Sequence, residues 1–145
     1  MKRLAFMLGH WEGEGWVVNG PGGRVDIHQT EQVELQLSGE VMTVAGHGVV
    51  PGKPDAPSFT AFAVATFAQA TSTYRWEAFS QGSRLETTLD VRENGWKWGF
   101  EAGPGIVVRY DSTFTADTWH ETGETSVDGG KTWHPSLDMT LKRTG

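Results

Sequence analysis

"LGHWEGEGW", residues 8–16, interleaves glycine with tryptophan and glutamate. Three readings compete for it: a phosphate-cradling loop, a catalytic carboxylate pair, or a strand that must bend sharply. A phosphate loop needs its glycines to follow a strand and open a helix, at dinucleotide or Walker spacing. Here the alternation runs on through Gly13, Gly15, Trp16 and Val17, no helical pattern follows, and neither spacing fits. Glu12 and Glu14 share one strand face, opposite Trp11, where carboxylates are ordinarily solvated. What remains is a strand whose glycines let it coil tightly, at a barrel corner where a side chain would strike the opposite wall. Trp11 then plugs the barrel floor, with a short helix over residues 2–8 beneath it.

The same two-residue period governs the rest of the chain. From Val25 to Leu37 the odd positions read Val, Ile, Gln, Glu, Val, Leu, Leu, while the even ones are nearly all polar. Ser38-Gly39 turns this strand into "EVMTVAGHGVV", and "ENG" at residues 93–95 marks the clearest hairpin, between "RLETTLDVR" and "WKWGFE". "FTAFAVATFA", "TYRWEAFS", "IVVRYDSTF", "TWHETGETS" and "TWHPSLDMTLKR" complete about ten strands at even spacing. Residues 49–58, with three prolines, form a surface loop, and residues 1–145 make one domain. Short connections between successive strands predict an all-β, closed antiparallel up-and-down barrel with a short N-terminal helix. An immunoglobulin-like sandwich would need longer crossovers.

Composition narrows the function. A net charge of −6, with 12 scattered Lys and Arg, argues against a nucleic-acid partner. Cysteine is absent, which removes disulfides and thiolate chemistry. The apolar run in "MKRLAFMLGHW" is too short for a secretory core, and no stretch approaches the roughly 20 residues of a membrane helix. The expectation is a soluble, cytoplasmic protein with no membrane partner. His28, His47, His120 and His134 fall on separate strands without ligand spacing, so no metal is expected. Outward cross-strand pairs, His134 with Glu124 and His120 with Asp138, account for two of them. "SVDGGKTW" at residues 126–133 matches the Asp-box hairpin pattern and reads as a turn device.

The set with chemical promise faces inward. By alternation Gln29 and Glu31 lie inside, with Trp96, Trp98, Trp119 and Glu121. Tyr74, Trp76, Val108, Tyr110, Trp133, Leu137 and Met139 follow by the same rule. Buried carboxylates need partners. Arg75, Arg109 or the tyrosine hydroxyls are candidates, although strict alternation turns both arginines outward. Gln29, Glu31, Tyr74, Trp76, Trp98, Tyr110, Glu121 and Trp133 are therefore expected to line a site for a small hydrophobic or aromatic molecule. In a second class, Glu31 and Glu121 act as general acid and base in an isomerase, cyclase or hydratase. A barrel plugged by its own side chains is the third. "FTAFAVATFA", apolar on both faces, points to a homodimer through that wall.

Gly9-His10-Trp11 near the start, with "LKR" ending at Arg143, resembles the calycin arrangement of lipocalins and fatty-acid-binding proteins. That resemblance implies a lock in which Arg143 of the last strand packs on Trp11 and closes the barrel. "FMLGHWEGEGW", "WGFE", "WHETGE", "DGGKTW" and "MTLKR", in that order along nearly the whole chain, resemble a bacterial lipocalin-like family of unknown function related to nitrobindin. The likeness implies a barrel of roughly eight to ten strands around a small-molecule cavity. Nitrobindin holds haem through a histidine on its last strand; "PSLDMTLKR" has none, so no cofactor is carried over.

Overall fold

Alternating inward and outward side chains commit this chain to half-buried strands, and a computed structural model shows how they close; it describes residues 1–18, 23–56 and 58–145. The strands are β1 (Gly9–Val18), β2 (Arg24–Gln36), β3 (Val41–Val49), β4 (Phe59–Ala68) and β5 (Thr73–Ser80). They continue as β6 (Ser83–Arg92), β7 (Gly95–Gly103), β8 (Ile106–Phe114), β9 (Thr118–Ser126) and β10 (His134–Arg143). Each pairs antiparallel with its successor, and β10 returns to β1, giving a closed ten-strand barrel. Closure gives every strand a partner on both sides, most sparsely between β6 and β7. Leu37, read as the last inward residue of the second strand, instead sits in the turn Leu37–Gly39 with a φ of 49° and is 69% exposed.

Gly13 and Gly15 stand opposite Leu141 and Met139 on β10. A Cβ would lie 2.0 Å from the Thr140 carbonyl oxygen at Gly13 and 2.2 Å from that of Asp138 at Gly15. The obstacle is thus the neighbouring strand, not the opposite wall. Side chains would push β1 off β10 at the seam that closes the cylinder.

One end of the barrel is sealed. The 3-10 helix Lys2–Met7 buries Leu4 and Met7 against the floor. The Trp11 indole donates to the Met7 carbonyl at 2.9 Å and meets Phe114 and Trp119 edge-on at 5.6 and 5.8 Å. Arg143, the register partner of Trp11, places its guanidinium 4.1 Å over the indole. It also donates to the carbonyls of Phe6, Leu8 and Ala116, tying helix, floor and the β8–β9 turn together. On the outer face, Phe62 of β4 and Phe79 of β5 pair across the strands and are 42% and 36% exposed. Among the described residues no helix is long and apolar enough to cross a membrane.

The turn between β9 and β10 is built by one carboxylate. Asp128 accepts from the Ser126 hydroxyl, the backbone N–H groups of Lys131 and Thr132, and the Thr132 hydroxyl. These bonds, led by those from Thr132, hold its carboxyl well below the usual range.

Candidate functional site

The half of the barrel remote from the helix encloses a cavity of about 750 Å³. Its walls include Trp76 of β5, Trp96, Trp98 and Phe100 of β7, Tyr110 of β8 and Trp119 of β9. Into this aromatic chamber β2 delivers Gln29 and Glu31, and β9 delivers Glu121.

Two strand glycines make room for the β2 pair. Glu31 and Gln29 stand opposite Gly46 and Gly48 on β3. A Cβ at Gly46 would be 2.7 Å from both Glu31 oxygens, and one at Gly48 would be 2.4 Å from the Gln29 side-chain oxygen. The carboxyl and the amide therefore lie flat over bare backbone. Gln29 Nε2 donates to Glu31 Oε1 at 3.0 Å. Burial, reinforced by the nearby charge of Glu121, raises Glu31 to about 8, against the opposing effect of the Gln29 bond.

A directed chain of donors holds the second acid. Trp119 Nε1 donates to Ser112 Oγ at 3.0 Å, and the hydroxyl, its acceptor role used, donates to Glu121 Oε1 at 3.2 Å. Burial lifts Glu121 to about 7, although the Ser112 and Trp119 donors favour its ionised form. Tyr110 is pushed up to about 12 by burial and by Glu121. Among the described lining residues the sole basic side chain is Arg84 at the rim. It is 54% exposed and engaged with Glu77 and Glu86 on the outer face. The indole N–H groups of Trp76, Trp96 and Trp98 are buried without a hydrogen-bond partner.

One side of the chamber is loosely closed. The β6–β7 register comprises three pairs: Asp90 with Lys97, Val91 with Trp96 and Arg92 with Gly95. Above them Thr87 Oγ1 reaches the Gly99 carbonyl at 3.2 Å, a side chain standing where backbone rungs would be.

Of the residues expected from alternation, Gln29, Glu31, Trp76, Trp98, Tyr110 and Glu121 come together on the cavity. Tyr74 does not: it is buried in the floor core beside Phe67, ring centroids 4.9 Å apart. Trp133 lies outside the lining, its ring 3.7 Å beneath the Arg109 guanidinium and its N–H donated to Gly130. A register slip between Pro135 and Leu137 explains the second miss, because counting by twos fails across it. Arg109 bonds Glu124 instead of an interior acid, and His134 faces Thr125; His120 does meet Asp138, at 3.0 Å. The carboxyl partners are thus Gln29 and Ser112, not arginine or tyrosine. Ser112, two residues after Tyr110 on the same face, was findable by parity, as were the even-numbered glycines of β3.

No family model and no curated protein matches the chain. Among solved structures it is similar to Rv2717c from M. tuberculosis, with a TM-score of 0.72 and 9% identity, over 99% of this chain and 96% of that one. A second neighbour is a protein of unknown function from the DUF3598 family of Nostoc punctiforme. It shows a TM-score of 0.33 and 7% identity over 98% of each chain. The chain is a closed antiparallel barrel of ten strands, and its likeness to Rv2717c is one of fold.

Proposed function

We propose that this barrel holds a small, largely apolar or aromatic molecule in its interior, with Glu31 and Glu121 as polar anchors. The cavity carries the reading: about 750 Å³ walled by indole and phenol rings, inside the size range of small-molecule sites. The motif resemblance to a nitrobindin-related family supports a carrying cavity as well. Haem held by histidine does not fit, because none of the five histidines reaches the cavity lining.

Titration with N-phenyl-1-naphthylamine tests the proposal. Saturable, blue-shifted probe fluorescence with quenching of tryptophan emission is the expected result; no saturable signal would refute it.

One observation favours a second reading. Two interior acids poised near 7 and 8 present a proton donor and a proton acceptor together at neutral pH. Such a pair suits isomerisation, cyclisation or hydration. Glu31→Gln and Glu121→Gln separate the readings: a carrier keeps its affinity within a modest factor, whereas an enzyme loses about 10²–10⁴-fold in turnover.

A further inference from the structure

Among the described residues the cavity holds two interior acids and no interior base to balance them. Glu31 and Glu121 each use Oε1 in a hydrogen bond, to Gln29 and Ser112 respectively. Among the described residues no further side-chain hydrogen bond reaches the second oxygen of either. The titratable groups facing one another across the chamber are Glu31 from β2, Tyr110 from β8 and Glu121 from β9, with Glu101 and Arg84 at the rim. Arg84 is spent on Glu77 and Glu86.

Resting on the reading that the cavity takes a small molecule, we infer that its ligand is an organic cation: a protonated or quaternary amine on an apolar or aromatic body. A buried carboxylate is costly until it is paired, and among the described residues no interior cation supplies the pair. An ammonium group would supply it. The walls suit the same guest, since indole and phenol faces carry the negative side of the ring quadrupole and attract cations. Anions are served poorly: the one basic side chain among the described lining residues is Arg84 at the rim, and the Trp76, Trp96 and Trp98 N–H donors are occluded. The net charge of −6 draws cations toward the molecule before contact. Burial holds Glu31 largely and Glu121 partly protonated near neutrality, and a cation entering between them would expel a proton.

The test compares phenyltrimethylammonium with its neutral isostere tert-butylbenzene and with benzoate, reading tryptophan quenching at pH 8.5 and pH 6. In the unaltered protein the cation should bind about tenfold more tightly than tert-butylbenzene at pH 8.5. That preference should shrink at pH 6 and vanish in Glu31→Gln/Glu121→Gln, with near-UV circular dichroism confirming the fold. If the double variant does not fold, Glu121→Gln alone carries the comparison and should lose most of the preference. Benzoate or tert-butylbenzene binding as tightly as the cation overturns the inference and leaves the cavity reading standing. A preference that survives substitution of the acids also overturns it. Binding of none of the three overturns both.

Discussion

The carboxyl of Glu31 rests on the backbone of Gly46, its register partner, so closely that a single added carbon would stand 2.7 Å from both oxygens. The contact is with the end of a side chain, which can move. At Gly13 the corresponding contacts are the Thr140 carbonyl oxygen at 2.0 Å and the Leu141 Cα at 2.8 Å, which cannot. Gly46→Ala should therefore cost about 1 kcal/mol, and Gly13→Ala about 3 kcal/mol or the fold itself. Urea denaturation of the two variants checks this, and equal losses would contradict it.

Arg143 joins three segments through one planar group. Replacing it by lysine keeps the charge but cannot reproduce donation to Phe6, Leu8 and Ala116 together with stacking on Trp11. Arg143→Lys should lose about 2–4 kcal/mol, from hydrogen bonds to a charged donor and the cation–π contact. Denaturant midpoints give the answer, and a loss no larger than that of an exposed Lys142→Ala would discount the lock.

Folding raises Glu31 from 4.5 to about 8 and Glu121 from 4.5 to about 7. The native state consequently holds more protons than the unfolded chain between about pH 4.5 and 8, and stability falls as pH rises through that window. Asp128, lowered by folding, acts oppositely and only at the acid end, below this window. Glu31→Gln/Glu121→Gln should flatten the decline between pH 5 and 8.5 and be the more stable protein at pH 8.5. Unfolding midpoints at both pH values decide it; parallel profiles for variant and parent would be the contrary result.

Asp128 gathers the β9–β10 turn, and Lys131 sits within it as a tryptic site. Asp128→Ala should leave the barrel folded but speed cleavage after Lys131. A trypsin time course resolved by mass spectrometry measures the effect, and unchanged cleavage would argue against the carboxylate as the organiser.

The barrel was legible because its signal is repetitive: alternation from Val25 onward, the asparagine-glycine turn at residues 93–95 and short connections all point one way. The interior acids were legible by the same parity. Parity fails where the ladder does, and Trp133 lies beyond the irregularity at residues 135–137. It also specifies a face but not a depth. Tyr74 and Trp76 share the inner side of β5, yet only Trp76 reaches the cavity while Tyr74 fills the floor. The hydrogen-bond partners of the acids come from register between strands, which fixes Glu31 over Gly46 and Ser112 beside Glu121. No single strand carries that information.

The three-rung contact between β6 and β7 makes the molecule, mechanically, a slit tube rather than an intact one. Such a tube yields along its slit before it deforms anywhere else. The sparse ladder lies beside Trp98 and Thr87, whereas the plugged base is bolted by Arg143. On the proposed carrying function, admission of a guest and retention of the fold would fall to different parts of the wall.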